Sequence, residues 1–154
     1  MLELDRETWE AVSDHARLDY PAECCGILAQ DAQGNYRVHR CKNIQDRLHL
    51  RDPDTHPRTS RTAYRMDDLQ VQGILTDTEA GGGRLAGFYH SHIDCDAYFS
   101  EEDRTAALFM DEPTYPGVVH IVVSIVEGEV RGWRGFLWDD GEREFVEVSI
   151  VSGG

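Results

Sequence analysis

Residues 118–126, VVHIVVSIV, are apolar and mostly β-branched at every position but two. A strand of that composition is buried on both faces, so the rest of the chain has to supply layers that cover it. Residues 5–18 read as a helix, with Asp5 as N-cap, Glu7 in the first turn, and Trp9, Val12 and Ala16 at helical spacing. A second helix opens at Asp67 or Asp68, runs through Val71, Ile74 and Leu75, and stops at Gly81-Gly82-Gly83. A third begins at Ser100, with Ala106, Ala107 and Met110 as its apolar face, and closes before Pro113 and Pro116. Further strands are expected at residues 24–29, around Tyr36 and Val38 after a Gly34-Asn35 turn, and at residues 84–89, 130–138 and 144–151. The reading is one α/β domain over residues 1–154, a mixed and largely antiparallel sheet flanked by helices.

The 154 residues carry 15 Lys+Arg against 29 Asp+Glu, a formal charge of -14, which disfavours binding a phosphate backbone through bulk charge; no nucleic-acid partner is expected. The charge is unevenly spread. Residues 37–65 hold eight basic groups (Arg37, Arg40, Lys42, Arg47, Arg51, Arg58, Arg61, Arg65) and three acids (Asp46, Asp52, Asp54), a local +5. Residues 42–65 show no apolar period and read mostly as loop, and an irregular stretch of that length in a compact domain is more often a binding loop than filler. Arg51, Arg58, Arg61 and Arg65 are its candidates to receive an acidic face or a carboxylate, against the alternative of a solvated loop whose arginines pair with acidic neighbours.

The N-terminus is acidic and no run of 18 apolar residues occurs, so neither a signal peptide nor a membrane span is expected, and a cytoplasmic location follows. Cys24, Cys25, Cys41 and Cys95 form no CxxC pair and read as free thiols.

The segment 87–103, GFYHSHIDCDAYFSEED, carries the chemistry. On a strand, side chains at i and i+2 share a face, so His90 and His92 leave the strand end together, within reach of a single ion. Asp103, in the first turn of the following helix, can return a carboxylate toward them. Two imidazoles and one carboxylate suit a Zn2+ ion with its fourth position open to water. Glu23, which stands after Pro21-Ala22 and just before a buried strand, is the candidate general base. Each residue has a plainer reading: Ser100 with Asp103 is an S-x-x-D capping box, His120 is a packed or surface histidine, and Cys95 is a loop thiol that could reach the metal. The ending Ser152-Gly153-Gly154 reads as a flexible tail.

Glu23, His90-Ser91-His92, seven residues, Ser100, two residues and Asp103 together resemble the JAMM signature of the JAB/MPN-domain metallopeptidases, and 20–26, YPAECCG, is similar to the start of their stand-alone bacterial members. Ile93 and Phe99 depart from that pattern, which usually has Pro at the first of these positions and often at the second. The resemblance implies a cytidine-deaminase-like fold, zinc held by His90, His92 and Asp103, Glu23 as acid and base, and Ser100 stabilising the oxyanion. It also implies cleavage after the C-terminal Gly-Gly of a ubiquitin-like or sulfur-carrier β-grasp protein. Three other classes are weighed. A non-catalytic MPN scaffold typically loses the ligands this chain keeps; a RadC-like protein typically has His-Asn-His-Pro-Ser-Gly; a zinc deaminase needs H-x-E with P-C-x-x-C. The sequence leaves a homo-oligomer open.

Overall fold

The computed structural model describes residues 2–153. Its centre is a six-stranded sheet made, in spatial order, of β3 (Tyr36–Cys41), β2 (Cys25–Gln30), β4 (Arg84–Ile93), β7 (Val119–Val126), β8 (Glu129–Asp139) and β9 (Glu144–Val148). Every neighbouring pair is antiparallel except β4 and β7, which run parallel with His90 level with Val122 and His92 with Ser124. The apolar run at residues 118–126 is thus a central strand with six consecutive buried residues.

Each face of the sheet has its own cover. Helix α1 (Arg6–Asp19) starts at Asp5, whose carboxylate accepts from the Thr8 N–H at 2.7 Å, and it packs Val12 and Ala16 against Leu28, Tyr89, Ile121, Val123 and Ile125. On the opposite face, helix α3 (Asp68–Ala80) starts at Asp67 and packs Val71, Ile74 and Leu75 against Cys25, Ile27 and Phe88. The period of two along β4 separates the layers: Tyr89 and Ser91 point toward α1, while Phe88, His90 and His92 lie on the α3 face. Gly26 sits beneath Tyr89 so closely that a Cβ would overlap the ring, and this absence of a side chain lets the Tyr89 hydroxyl reach His15 Nδ1 at 2.7 Å.

A parallel pair cannot be closed by a hairpin and needs a crossover. The chain between β4 and β7 forms it with α4 (Glu101–Ala107) and a small hairpin of β5 (Leu108–Phe109) and β6 (Glu112–Pro113). The crossover carries Asp103 back over the histidine end of β4.

The structure alters four of the expected elements. Strand β4 does not stop at residue 89; it runs through both histidines to Ile93, which pairs with Ile125. The third helix ends at Ala107 rather than reaching Met110, because Leu108 and Phe109 turn into β5. The segment read as loop contains helix α2 (Gln45–Arg51). Ser152 and Gly153 are not a flexible tail: they belong to β10 (Ile150–Gly153), which pairs in parallel with β1 (Leu2–Asp5); Gly154 lies outside the described residues. No helix among the described residues is long and apolar enough to cross a membrane.

Candidate active site

His90 and His92 extend from one face of β4 into the space under α4. His90 Nε2 and His92 Nε2 each lie 3.1 Å from Asp103 Oδ2, and all three residues are buried. One ligand atom from each falls within 4.8 Å of the others. The orientation of each is fixed by neighbours. The His90 ring stacks on Tyr64 with centroids 4.4 Å apart, and His92 Nδ1 faces the Asp96 carbonyl at 3.2 Å. Asp103 accepts from the Ser100 N–H at 3.0 Å while Ser100 Oγ accepts from the Asp103 N–H at 3.0 Å, so the capping box that starts α4 also aims the carboxylate.

Such a group fits a metal on its own geometry. His90 Nε2 is fully enclosed, lies close to the carboxylate, and yet has no aligned hydrogen-bond partner. A buried nitrogen of that kind costs stability unless a cation takes its lone pair. Burial opposes charge on Asp103, but the two imidazoles and the Ser100 N–H hold its carboxyl well below the usual carboxylate range. Ligand softness and number suit a small divalent ion with an open position.

Glu23 precedes β2, where Cys25 pairs with His90; two residues further back along that register it stands level with His92. Only 5 % of its surface is exposed. Burial first, and the Asp103 charge second, push its carboxyl up to about 9, against the opposing pull of Arg58. A glutamate so raised holds a proton at neutral pH, and a cation held by His90, His92 and Asp103 would draw it back toward the working range of a base.

Glu23 is held by residues that sequence reasoning did not single out. Its N–H donates to the Ser60 carbonyl at 2.7 Å, and its carbonyl accepts from Asn43 Nδ2 at 2.9 Å. Ser60 is tied in turn to Asp46 on α2 through its N–H and hydroxyl, both at 2.7 Å. From β4, Ser91 Oγ accepts from the Cys24 N–H at 2.8 Å, fastening the strand of the histidines beside the base. Ser91 had a readable signal, since a polar residue between two histidines on a strand must point into the opposite, buried layer and needs a partner there. Tyr64, Asn43 and Ser60 had none in the sequence.

Glu23, Tyr64, His92, Ser100 and Asp103 line a cleft of about 200 Å³. Arg58 and Arg61 lie on its wall, and so does Cys95. Arg65 lines a neighbouring cavity beyond Tyr64 and approaches Asp68 at 3.9 Å, whereas Arg51, at the exposed end of α2, lines neither. His120 is buried among Phe88, Phe99 and Phe145. Cys24, Cys25, Cys41 and Cys95 are free thiols.

The family of prokaryotic homologs of the JAB domain matches residues 5–135, a span that contains every residue of this cleft. The chain belongs to the prokaryotic JAB family. Over 158 residues it is 32% identical to a desampylase from Haloferax volcanii, covering 97% of this chain and 95% of the relative. It is 29% identical over 141 residues to a CysO-cysteine peptidase from Mycobacterium tuberculosis, covering 92% and 85%. The fold is shared with a protein from Desulfitobacterium hafniense (TM-score 0.70, 21% identity, 99% and 93% covered) and with a JAB1/MPN domain protein from Archaeoglobus fulgidus (TM-score 0.56, 15% identity, 99% and 97% covered). With peptidase relatives and the His–His–Asp group in place, this JAB protein is a hydrolase of the JAMM type.

Proposed function

We propose that this JAB protein is a zinc-dependent peptidase that hydrolyses the bond after the C-terminal Gly-Gly of a ubiquitin-like or sulfur-carrier β-grasp protein. The observation that carries the reading is the convergence of His90, His92 and Asp103 on one point beside the buried carboxyl of Glu23. Relatives named desampylase and CysO-cysteine peptidase support the substrate class. A cytoplasmic location, suggested by the free thiols, belongs to the same proposal.

His90 Nε2, His92 Nε2 and Asp103 Oδ2 would hold the zinc ion, which when bound polarises the scissile carbonyl and makes hydroxide available near neutral pH. The chain's own groups manage the proton. Glu23 takes it from the attacking water as the new C–O bond forms, then delivers it to the amine nitrogen as the C–N bond breaks. Water and an amide thereby become a carboxylic acid and an amine. Ser100 Oγ accepts from Asp103, which leaves its O–H free to donate to the negative carbonyl oxygen that develops during attack. An extended diglycine threads a narrow cleft because it has no side chains to clash.

Purified protein should carry about one equivalent of zinc per chain and cleave a β-grasp carrier extended past Gly-Gly. His90→Ala should lose both the metal and the cleavage. Protein that takes up no zinc when it is supplied would overturn the reading.

A further inference from the structure

The cleft wall holds a second recognition element. Arg58 Nη2 donates to Glu102 Oε1 at 2.7 Å, and Arg58 Nη1 donates to the Thr62 carbonyl at 3.4 Å. A guanidinium has five N–H groups, so these two contacts leave it able to bind more. Both members of the Arg58–Glu102 pair are about half exposed, with side-chain exposures of 46% and 54%. Exchanging one carboxylate for another on such a pair costs little, because exposed ion pairs are worth only ~0–1 kcal/mol.

The position of Arg58 is set by the same loop that fixes the base. Its carbonyl accepts from Gln45 Nε2 at 3.0 Å, and two residues on, Ser60 accepts from the Glu23 N–H. The Arg58 charge reaches Glu23 strongly enough to oppose the rise in its pKa. The other charged side chains on this wall, Glu102 and Asp103 among them, are mainly acidic and repel an anion. Arg61, the second cation, lies 3.8 Å from Asp94, which already accepts from the Tyr20 hydroxyl at 2.9 Å. At about 200 Å³ the cleft is smaller than the ~300–1,000 Å³ sites that hold drug-sized ligands, which suits a short leaving segment.

We infer that Arg58 receives the α-carboxylate of the segment being released, displacing Glu102, so that the enzyme trims one or two residues from a C-terminus in preference to splitting a chain joined through an isopeptide bond. Glu102 is then a stand-in that occupies Arg58 until substrate arrives. This rests on the peptidase reading above and adds a specificity to it. An isopeptide substrate has no carboxylate next to the scissile bond, so Arg58 finds nothing to hold.

The test uses zinc-loaded protein and two forms of one β-grasp carrier ending Gly-Gly-Cys, with either a free carboxylate or a carboxamide. Charge-assisted hydrogen bonds predict about a 10- to 100-fold higher kcat/KM for the acid in wild type. In Arg58→Gln the preference should collapse toward unity, with zinc content and melting temperature as checks on folding. Equal cleavage of both forms by wild type, or a preference that survives in Arg58→Gln, overturns the role of Arg58 and leaves the peptidase reading standing. Cleavage of neither form by wild type overturns both. If Arg58→Gln does not fold, Glu102→Gln carries the test: a vacated Arg58 lowers KM for the acid and not for the amide, and an unchanged ratio refutes the proposal.

Discussion

In the proposed mechanism Glu23 first accepts a proton and then gives it away, and burial holds its carboxyl well above the pKa of a surface glutamate. Replacing it with Gln keeps the shape and removes the proton transfer. Glu23→Gln should retain bound zinc, since it is not among the ligands, and lose about 10²- to 10⁴-fold in kcat, measured by single-turnover cleavage. His120 is the contrasting case. The sequence gives it no metal-binding spacing, and it is indeed packed, between three phenylalanine rings. Burial, with the nearby His90 adding to it, lowers its pKa to about 4 from the ordinary 6.5. The unfolded chain therefore binds a proton there that the native state refuses. Stability is full above about pH 6.5 and falls as pH drops toward 4, by at most about 1 kcal/mol per pH unit from this group. His120→Phe should flatten that part of the profile, read by urea denaturation at each pH on chelator-treated protein.

Helix α4 joins structure to chemistry within seven residues. Ser100 caps the helix and aims Asp103 through one pair of reciprocal hydrogen bonds. Ser100→Ala should cost about 1 kcal/mol of stability from the lost cap, while the backbone N–H of residue 100 still holds the Asp103 carboxylate, so metal affinity should change by less than about 10-fold. Competition against a chelating dye measures the second effect. Elements with local signals were legible in the sequence: the capping box, the caps Asp5 and Asp67, and the apolar run of β7. Helix α2 was not, because its short span lacks an apolar face. Leu50 is exposed, and the helix is held by a local bond from Asn43 and by tertiary bonds to Arg58 and Ser60. The early end of α4 was equally hidden, since Leu108 and Phe109 leave the helix to pair with β6, a partner that helical periodicity does not reveal.

Across the whole molecule, the excess positive charge of residues 37–65 is largely met from outside the segment. Arg37, Arg47, Arg58, Arg61 and Arg65 approach Asp31, Asp67, Glu102, Asp94 and Asp68. Pairing with acidic neighbours therefore accounts for five of the eight basic groups, Arg58 and Arg61 among them, and these two are also the members placed on the cleft wall. Sequence counting could not separate them, because the distinction depends on how the loop folds back over Glu23. The buried ligand group also links metal to global stability, as an ion bound to the native chain stabilises it by mass action. Removing zinc from protein held at a hundredfold excess over Kd should cost about 2.7 kcal/mol and lower the melting temperature by about 5–10 °C, followed by calorimetry with and without a chelator.

The pairing of β1 with β10 joins segments separated by nearly the whole chain. Leu4, fully buried in the layer under α1, lies on β1 opposite Ser152. The entropy of closing so long a loop must be met before the contact gives anything back. During synthesis, β1 and the helix that follows it emerge before residues 150–153, and the core on that side stays unsealed until those residues arrive. At this edge the earlier-made strand waits for the later-made one, so the seam closes only after the sheet between them has been synthesised.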